Sequence, residues 1–189
     1  MKLRPAAAFV LASWYLIGSS PISAAIFKLA VPEEHGLHLY WWPQVKVPDG
    51  WVHDEKASRS TGTNMLVPKG ESFANAPSVM YGEALYKPRM PETHSLEQLI
   101  SDDKLDFQDR TLGIVISALP DLKTSDGRSL RCFSFSPPKG SSGSNANWEW
   151  TAFGEEGDFY LVFTVSAQSQ TALKEALPAF RRLIASYSW

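Results

Sequence analysis

The run Phe159-Tyr160-Leu161-Val162-Phe163 places the tightest constraint on how this chain folds. Neighbouring side chains on a strand point to opposite faces, so five large apolar residues in succession leave neither face for water. A strand over Asp158 to Ala167 is therefore central and covered on both sides. Directly after it, Leu173, Leu177, Phe180, Ile184 and Tyr187 recur at i, i+4, i+7, i+11 and i+14. That spacing draws one apolar stripe along a helix opening at Ser169. Pro178 falls inside this helix, and its missing N–H predicts a kink or a division in two. Arg181 and Arg182 lie off the stripe near the C-terminal end, where the helix dipole favours cations.

Cys132 is the only cysteine, so no intrachain disulfide can brace the chain. Core burial has to supply the stability, and ten Phe, seven Trp and six Tyr are available for it. Each buried aromatic removes about 150–250 Å² from water. Cys132 itself sits in an expected strand, Arg128 to Ser136, and reads as a small buried hydrophobe rather than a redox or nucleophilic thiol.

The first 25 residues have the three parts of a secretory signal. Lys2 and Arg4 form a basic start, Ala6 to Ile17 an apolar stretch, and Gly18 to Pro21 a break. Ser23-Ala24-Ala25 puts small residues at −3 and −1 of a cut after Ala25. The apolar stretch falls short of the roughly 20 residues that span a bilayer; a retained anchor is the alternative. No twin-Arg pair and no lipidation cysteine accompany it. The expectation is a signal peptide over 1–25, a single domain over 26–189, and a periplasmic or secreted location without stable membrane insertion. The net charge of −2 becomes −4 once Lys2 and Arg4 leave with the signal. A mildly acidic surface lacks the cationic footprint that nucleic acid requires.

Through the first half, residues 26 to 36 read as an irregular arm and Leu37 to Trp42 as a strand stopped by Pro43. Val45 and Val47 alternate before the turn Pro48-Asp49-Gly50. Trp51 to Ala57 and Asn64 to Val67 read as strands, with the polar stretch Ser58 to Thr63 between them. Ser78 to Tyr86 alternates as a further strand. Ser95 stands at an N-cap position with Gln98 three residues on. Leu96, Leu99, Ile100 and Phe107 then share one helical face, and Asp102, Asp103, Asp106 and Asp109 read as a solvated face of the same helix. Strands follow over Thr111 to Leu119, Arg128 to Ser136 and Trp148 to Phe153, with an Asp-Gly turn at Thr124 to Gly127 and a Gly/Ser/Asn-rich loop over 137 to 147. The result is an α+β fold: one domain, a central mostly antiparallel β-sheet flanked by helices, and a kinked C-terminal helix.

Catalytic and cofactor motifs are missing. There is no Gly-x-Ser-x-Gly, and Ser141, Ser142 and Ser144 sit in the flexible loop. No glycine loop joins a strand to a helix in a phosphate-cradling pattern, so no ATP or dinucleotide cofactor is expected. His35 and His38, preceded by Glu33 and Glu34, form a metal candidate, although in a strand the two histidines face opposite ways. Carboxylate pairs of glycosidase type can be drawn among Asp54, Glu83, Glu149 and Asp158, but only their separation in space decides their chemistry. Trp148 and Trp150 share a face of their strand, and Trp41 and Trp42 form a second aromatic pair. Both pairs could grip a ligand or partner, or pack beneath a helix.

The order of elements resembles the PsbP-like, DcrB-like α/β sandwich superfamily. The resemblance rests on Pro48-Asp49-Gly50-Trp51, on the helix from Ser95 to Asp109, and on Phe159 to Gln168 running into the helix Leu173 to Tyr187. The segments 58 to 77 and 137 to 147 depart from it. It implies a central antiparallel sheet flanked by helices, and a non-enzymatic role assisting or docking onto larger assemblies. The reading is an exported accessory or binding protein, with an envelope protein or small ligand as partner. The alternatives are an exported hydrolase with non-local catalytic residues and a metal-binding envelope protein using His35 and His38.

Overall fold

The computed structural model describes residues 25–33, 36–138 and 147–187. The chain opens with a hairpin, β1 (Ile26–Glu33) and β2 (Gly36–Pro43), followed by β3 (Trp51–His53), α1 (Glu55–Thr61), β4 (Asn64–Pro68) and β5 (Ser78–Tyr86). A 3-10 turn at Lys87–Arg89 leads to α2 (Leu96–Arg110), then β6 (Val115–Lys123), β7 (Ser129–Ser136), β8 (Trp148–Glu156), β9 (Phe159–Ala167) and α3 (Gln170–Ala185). Seven strands form one antiparallel sheet in the order β3-β4-β5-β9-β8-β7-β6, and β1 and β2 pair separately. The α+β architecture with a central antiparallel sheet is thus observed.

β9 occupies the middle of the sheet, as its two-faced apolarity requires. Leu161, Phe163 and Val165 point to the α3 side, where Phe180, Leu183, Ile184 and Tyr187 close over them. Tyr160 and Val162 point the other way, toward Leu99 and Ile100 of α2. Phe163 meets Tyr187 edge-on at 5.5 Å between ring centroids, an arrangement aromatic pairs favour. Cys132 lies buried in the α3-side core, as expected.

Both longer helices begin where expected. Ser95 Oγ accepts from Gln98 N at 3.1 Å, and Ser169 Oγ accepts from Ala172 N at 3.1 Å. α3 continues through Pro178 as one helix rather than two. Pro178 sits on the exposed side, where water can serve the carbonyl its ring leaves without a donor.

Three expectations are corrected. Residues 26 to 33 are a strand, not an irregular arm: each finds a partner on β2, from Ile26 opposite Pro43 to Glu33 opposite Gly36. The expected strand Trp51 to Ala57 stops at His53, and the polar stretch after it is helical. Asp54 caps α1 by accepting from Ala57 N at 2.9 Å, and Gly62 ends the helix at φ +77°. β6 starts at Val115 and runs to Lys123, later than Thr111 to Leu119, because Thr111 caps α2 and Ile114 N turns back to Thr111 O. Among the described residues no helix is long and apolar enough to cross a membrane. Residues 1–24, which hold nearly all of the expected signal, and most of the 137 to 147 loop lie outside the described residues.

Candidate functional site

β4 accompanies β5 only from Met80 to Gly82, ending with Asn64 opposite Gly82. From Glu83 to Tyr86 that edge of β5 has no strand partner among the described residues. β2 crosses the α3-side face there. Asn64 Nδ2 donates to Pro43 O at 3.2 Å, Trp42 Nε1 donates to Gly62 O at 2.7 Å, and the Trp41 ring lies 5.2 Å from Tyr86. The result is a groove of about 250 Å³ whose walls include His38, Tyr40 and Trp41 of β2, Thr61 and Gly62 at the end of α1, Arg89 and Met90, and Glu83 to Tyr86 of β5.

A hollow on one face of a strand touches every second residue. This one touches four in succession, so it lies against the backbone edge. Hydrogen-bond parity agrees. Lys87 N donates to Asp158 O and Pro77 O accepts from Gln168 N, so odd-numbered residues of β5 turn their backbone groups toward β9. Ala84 and Tyr86 consequently present N–H and C=O to the groove. Arg89 stands at one end with its guanidinium 4.8 Å over Trp41 and one N–H reaching Leu39 O at 3.4 Å. It has no carboxylate partner among the described residues.

Among the described residues the serine found against a histidine is Ser58, whose Oγ lies 2.9 Å from His53 Nε2. Ser58 is fully buried, donates to Asp54 O at 2.7 Å and accepts from Met65 N at 2.9 Å. With its proton already placed, the hydroxyl can only accept from His53, which leaves Nε2 a donor and not a base. The pair fastens α1 to β4 and is out of reach of a substrate. A smaller hollow of about 150 Å³ beside it is lined by Leu29, Trp42, His53, Glu55 and Arg59.

The remaining sequence candidates are dispersed. Trp148 and Trp150 share the α3-side face and pack at the margin of that core, Trp150 under Arg181 at 5.5 Å. Trp42 is tied to Gly62 and meets His53 edge-on, while Trp41 alone of the four borders the larger groove. His38 stacks on Tyr40 at 4.5 Å; His35 lies outside the described residues. No group of three or more metal-ligating side chains occurs among the described residues. Asp54 is held below the usual carboxylate range by backbone N–H groups of Ala57 and Phe73, consistent with its capping role.

Glu83 and Glu149 do belong to one cluster, on the α2 side of the sheet. Glu149 Oε1 accepts from Ser166 Oγ at 2.8 Å, and Thr151 meets Thr164 at 3.2 Å in the row beside Tyr81. Asp103 of α2 turns into this layer rather than lying on the solvated face, and its Oδ2 is buried without a hydrogen-bond partner. Burial pushes the Glu83 carboxyl up to about 7, with Asp103 adding to it. Burial likewise raises Asp103 to about 6 against the pull of Arg110, and Glu149 to about 6 against the Ser166 hydrogen bond.

No family model matches the chain, and no curated protein matches it. Among solved structures it is similar to the Saccharomyces cerevisiae Ran-binding protein Mog1p. That match has 11% identity and a TM-score of 0.41 over 86% of this chain and 89% of that one. The likeness is too distant to carry an argument about function.

The groove escapes sequence reading because much of it is backbone. Asp103 left a signal: it stands at i+7 from Leu96, on the stripe that Leu99, Ile100 and Phe107 define.

Proposed function

We propose that this chain is an exported, non-catalytic binding protein, and that the groove along β5 is its binding site. The observation that carries the reading is the composition of that groove. It offers an aromatic wall of Trp41 and Tyr86, the donors of Arg89 and a strand edge without a strand partner among the described residues, which are means of recognition. The candidate Ser58–His53 pair is spent on structure. The three-part N-terminal signal supports export, and the PsbP-like resemblance supports a role in assisting larger assemblies.

Two measurements test the reading. The full chain, expressed in a bacterial host, should be recovered from the periplasm or medium with a mass lacking residues 1–25; an intact chain confined to the cytosol overturns export. The purified protein and Arg89→Ala should then be taken side by side through thermal-shift panels of peptides and small acids, and through ester, peptide and glycoside substrates. Ligand stabilisation seen in the native chain and lost in the variant is expected. Turnover of any substrate with no such ligand overturns the binding reading.

A further inference from the structure

We propose that the groove takes an extended peptide segment of another protein, which adds to the sheet as a strand on the free edge of β5 from Glu83 to Tyr86. The inference rests on the binding reading above and names the chemical class of its ligand.

The two outer strands of the sheet are guarded. β3 is three residues long, and β6 carries Pro120 and a register shift between Leu119 and Leu122, devices that blunt strand addition. The edge at Glu83 to Tyr86 has neither. Ala84 and Tyr86 aim their N–H and C=O groups into it, and neither finds a backbone partner there among the described residues. Main-chain groups left unpaired away from water are costly, and an added strand satisfies them. Four residues span about 13 Å at about 3.3 Å per residue, which sets the length of the segment.

The walls set its side chains. Successive residues of the added strand face opposite ways, so one set meets Trp41 and Tyr86 and calls for an apolar or aromatic side chain. At the Arg89 end a guanidinium without an acid partner faces the groove, and a carboxylate complements it in charge and geometry. The ligand is thus a short extended segment carrying an apolar residue and an Asp, a Glu or a terminal carboxylate.

Selection of a phage-displayed library of random heptapeptides on the purified chain, with counter-selection on Ala84→Pro, tests this. Proline at 84 removes an N–H that points into the groove and no ladder bond, so β5 can keep its pairing to β9. Selected peptides are resynthesised with and without N-methyl groups at alternate backbone positions. The expected result is acidic–apolar peptides whose binding falls about tenfold or more on Ala84→Pro, on Arg89→Ala and on N-methylation in one register only. Hydrogen exchange at the Ala84 and Tyr86 amides should slow when they bind. Should Ala84→Pro fail to fold, the N-methyl series and the amide exchange decide the matter on the native chain.

Strand addition is overturned if no peptide is enriched, if N-methylation costs nothing in either register, or if the two amides stay unprotected. It is also overturned if sedimentation shows a dimer that Ala84→Pro dissolves, since the occupant is then a second copy. A small acid that binds the native chain and Ala84→Pro alike but not Arg89→Ala removes strand addition and leaves the binding reading standing. A chain in which neither substitution alters the binding of anything loses both.

Discussion

The aromatic ring of Tyr40 fills the space that a side chain at Gly62 would need. Gly62 ends α1 in the left-handed region, at φ +77°, and its carbonyl accepts the Trp42 indole N–H. One residue thereby joins the end of a helix to the hairpin that walls the groove.

Gly62→Ala should act on both. Alanine strains the left-handed backbone and drives a Cβ into the Tyr40 ring, which has to move. A loss of about 1–3 kcal/mol is expected in urea denaturation. Faster hydrogen exchange should be confined to β1, β2 and the end of α1. An unchanged midpoint would show that the hairpin is not seated on Gly62.

The elements that could be read from the sequence are those with long periods or two-sided burial. β9 and α3 emerged with their caps and their buried faces because each has enough residues to show its period. α1 did not, since Glu55–Thr61 is two turns with Ala57 as its one apolar residue, and its helix depends on Asp54 and Gly62 at its ends, not on an apolar stripe. β1 was lost for a related reason: its pairing with β2 rests on backbone ladder and lies outside the main sheet. Of the site, Trp41 was visible as an aromatic residue. The groove was not, because it is assembled from β2, the end of α1, β5 and the turn after it, and a missing strand partner leaves no mark on composition.

Cys132 should be inert in the native chain. It is 2% exposed, and burial pushes its thiol up to about 12 despite Arg181 nearby. A thiolate is needed for reaction with disulfide reagents, and one is neither formed nor accessible here. Labelling at pH 8 should proceed only at the rate of global unfolding, rising to that of an ordinary thiol in denaturant. Rapid labelling of the folded chain would show that β7 opens locally.

Stability should fall as pH rises from about 4.5 to 7. Glu83, Glu149 and Asp103 face one another and Tyr81 between α2 and the sheet, and each carboxyl titrates higher in the folded chain than when free. Between the two values the folded state binds more protons than the unfolded one, so deprotonation favours unfolding. The penalty is absent below about pH 4, grows through the window and is complete above about 7. Urea midpoints at a series of pH values read it directly. Glu83→Gln, which keeps the shape and removes the charge, should flatten the upper part of the slope. A profile that rises across this window would place these carboxylates in favourable ionic contacts instead.

Pro178→Ala should stabilise the domain, by a balance of three terms. A proline in a helix interior costs about 3 kcal/mol, through the lost N–H and the clash of its ring with the preceding turn. Water at the exposed position relieves part of that, because the Lys174 carbonyl is not sealed from solvent. Proline also stiffens the unfolded chain, which is worth about 0.4–1 kcal/mol to the native state and is lost in the variant. The side chain at 178 contributes nothing to the core; Ala176, Ala179 and Phe180 do the packing on either side of it. A net gain of about 1–2 kcal/mol follows, read as a higher urea midpoint with an unchanged slope. A loss on substitution would mean that the proline sets a bend by which Leu173 and Ile184 reach the sheet together, so that packing outweighs the restored hydrogen bond.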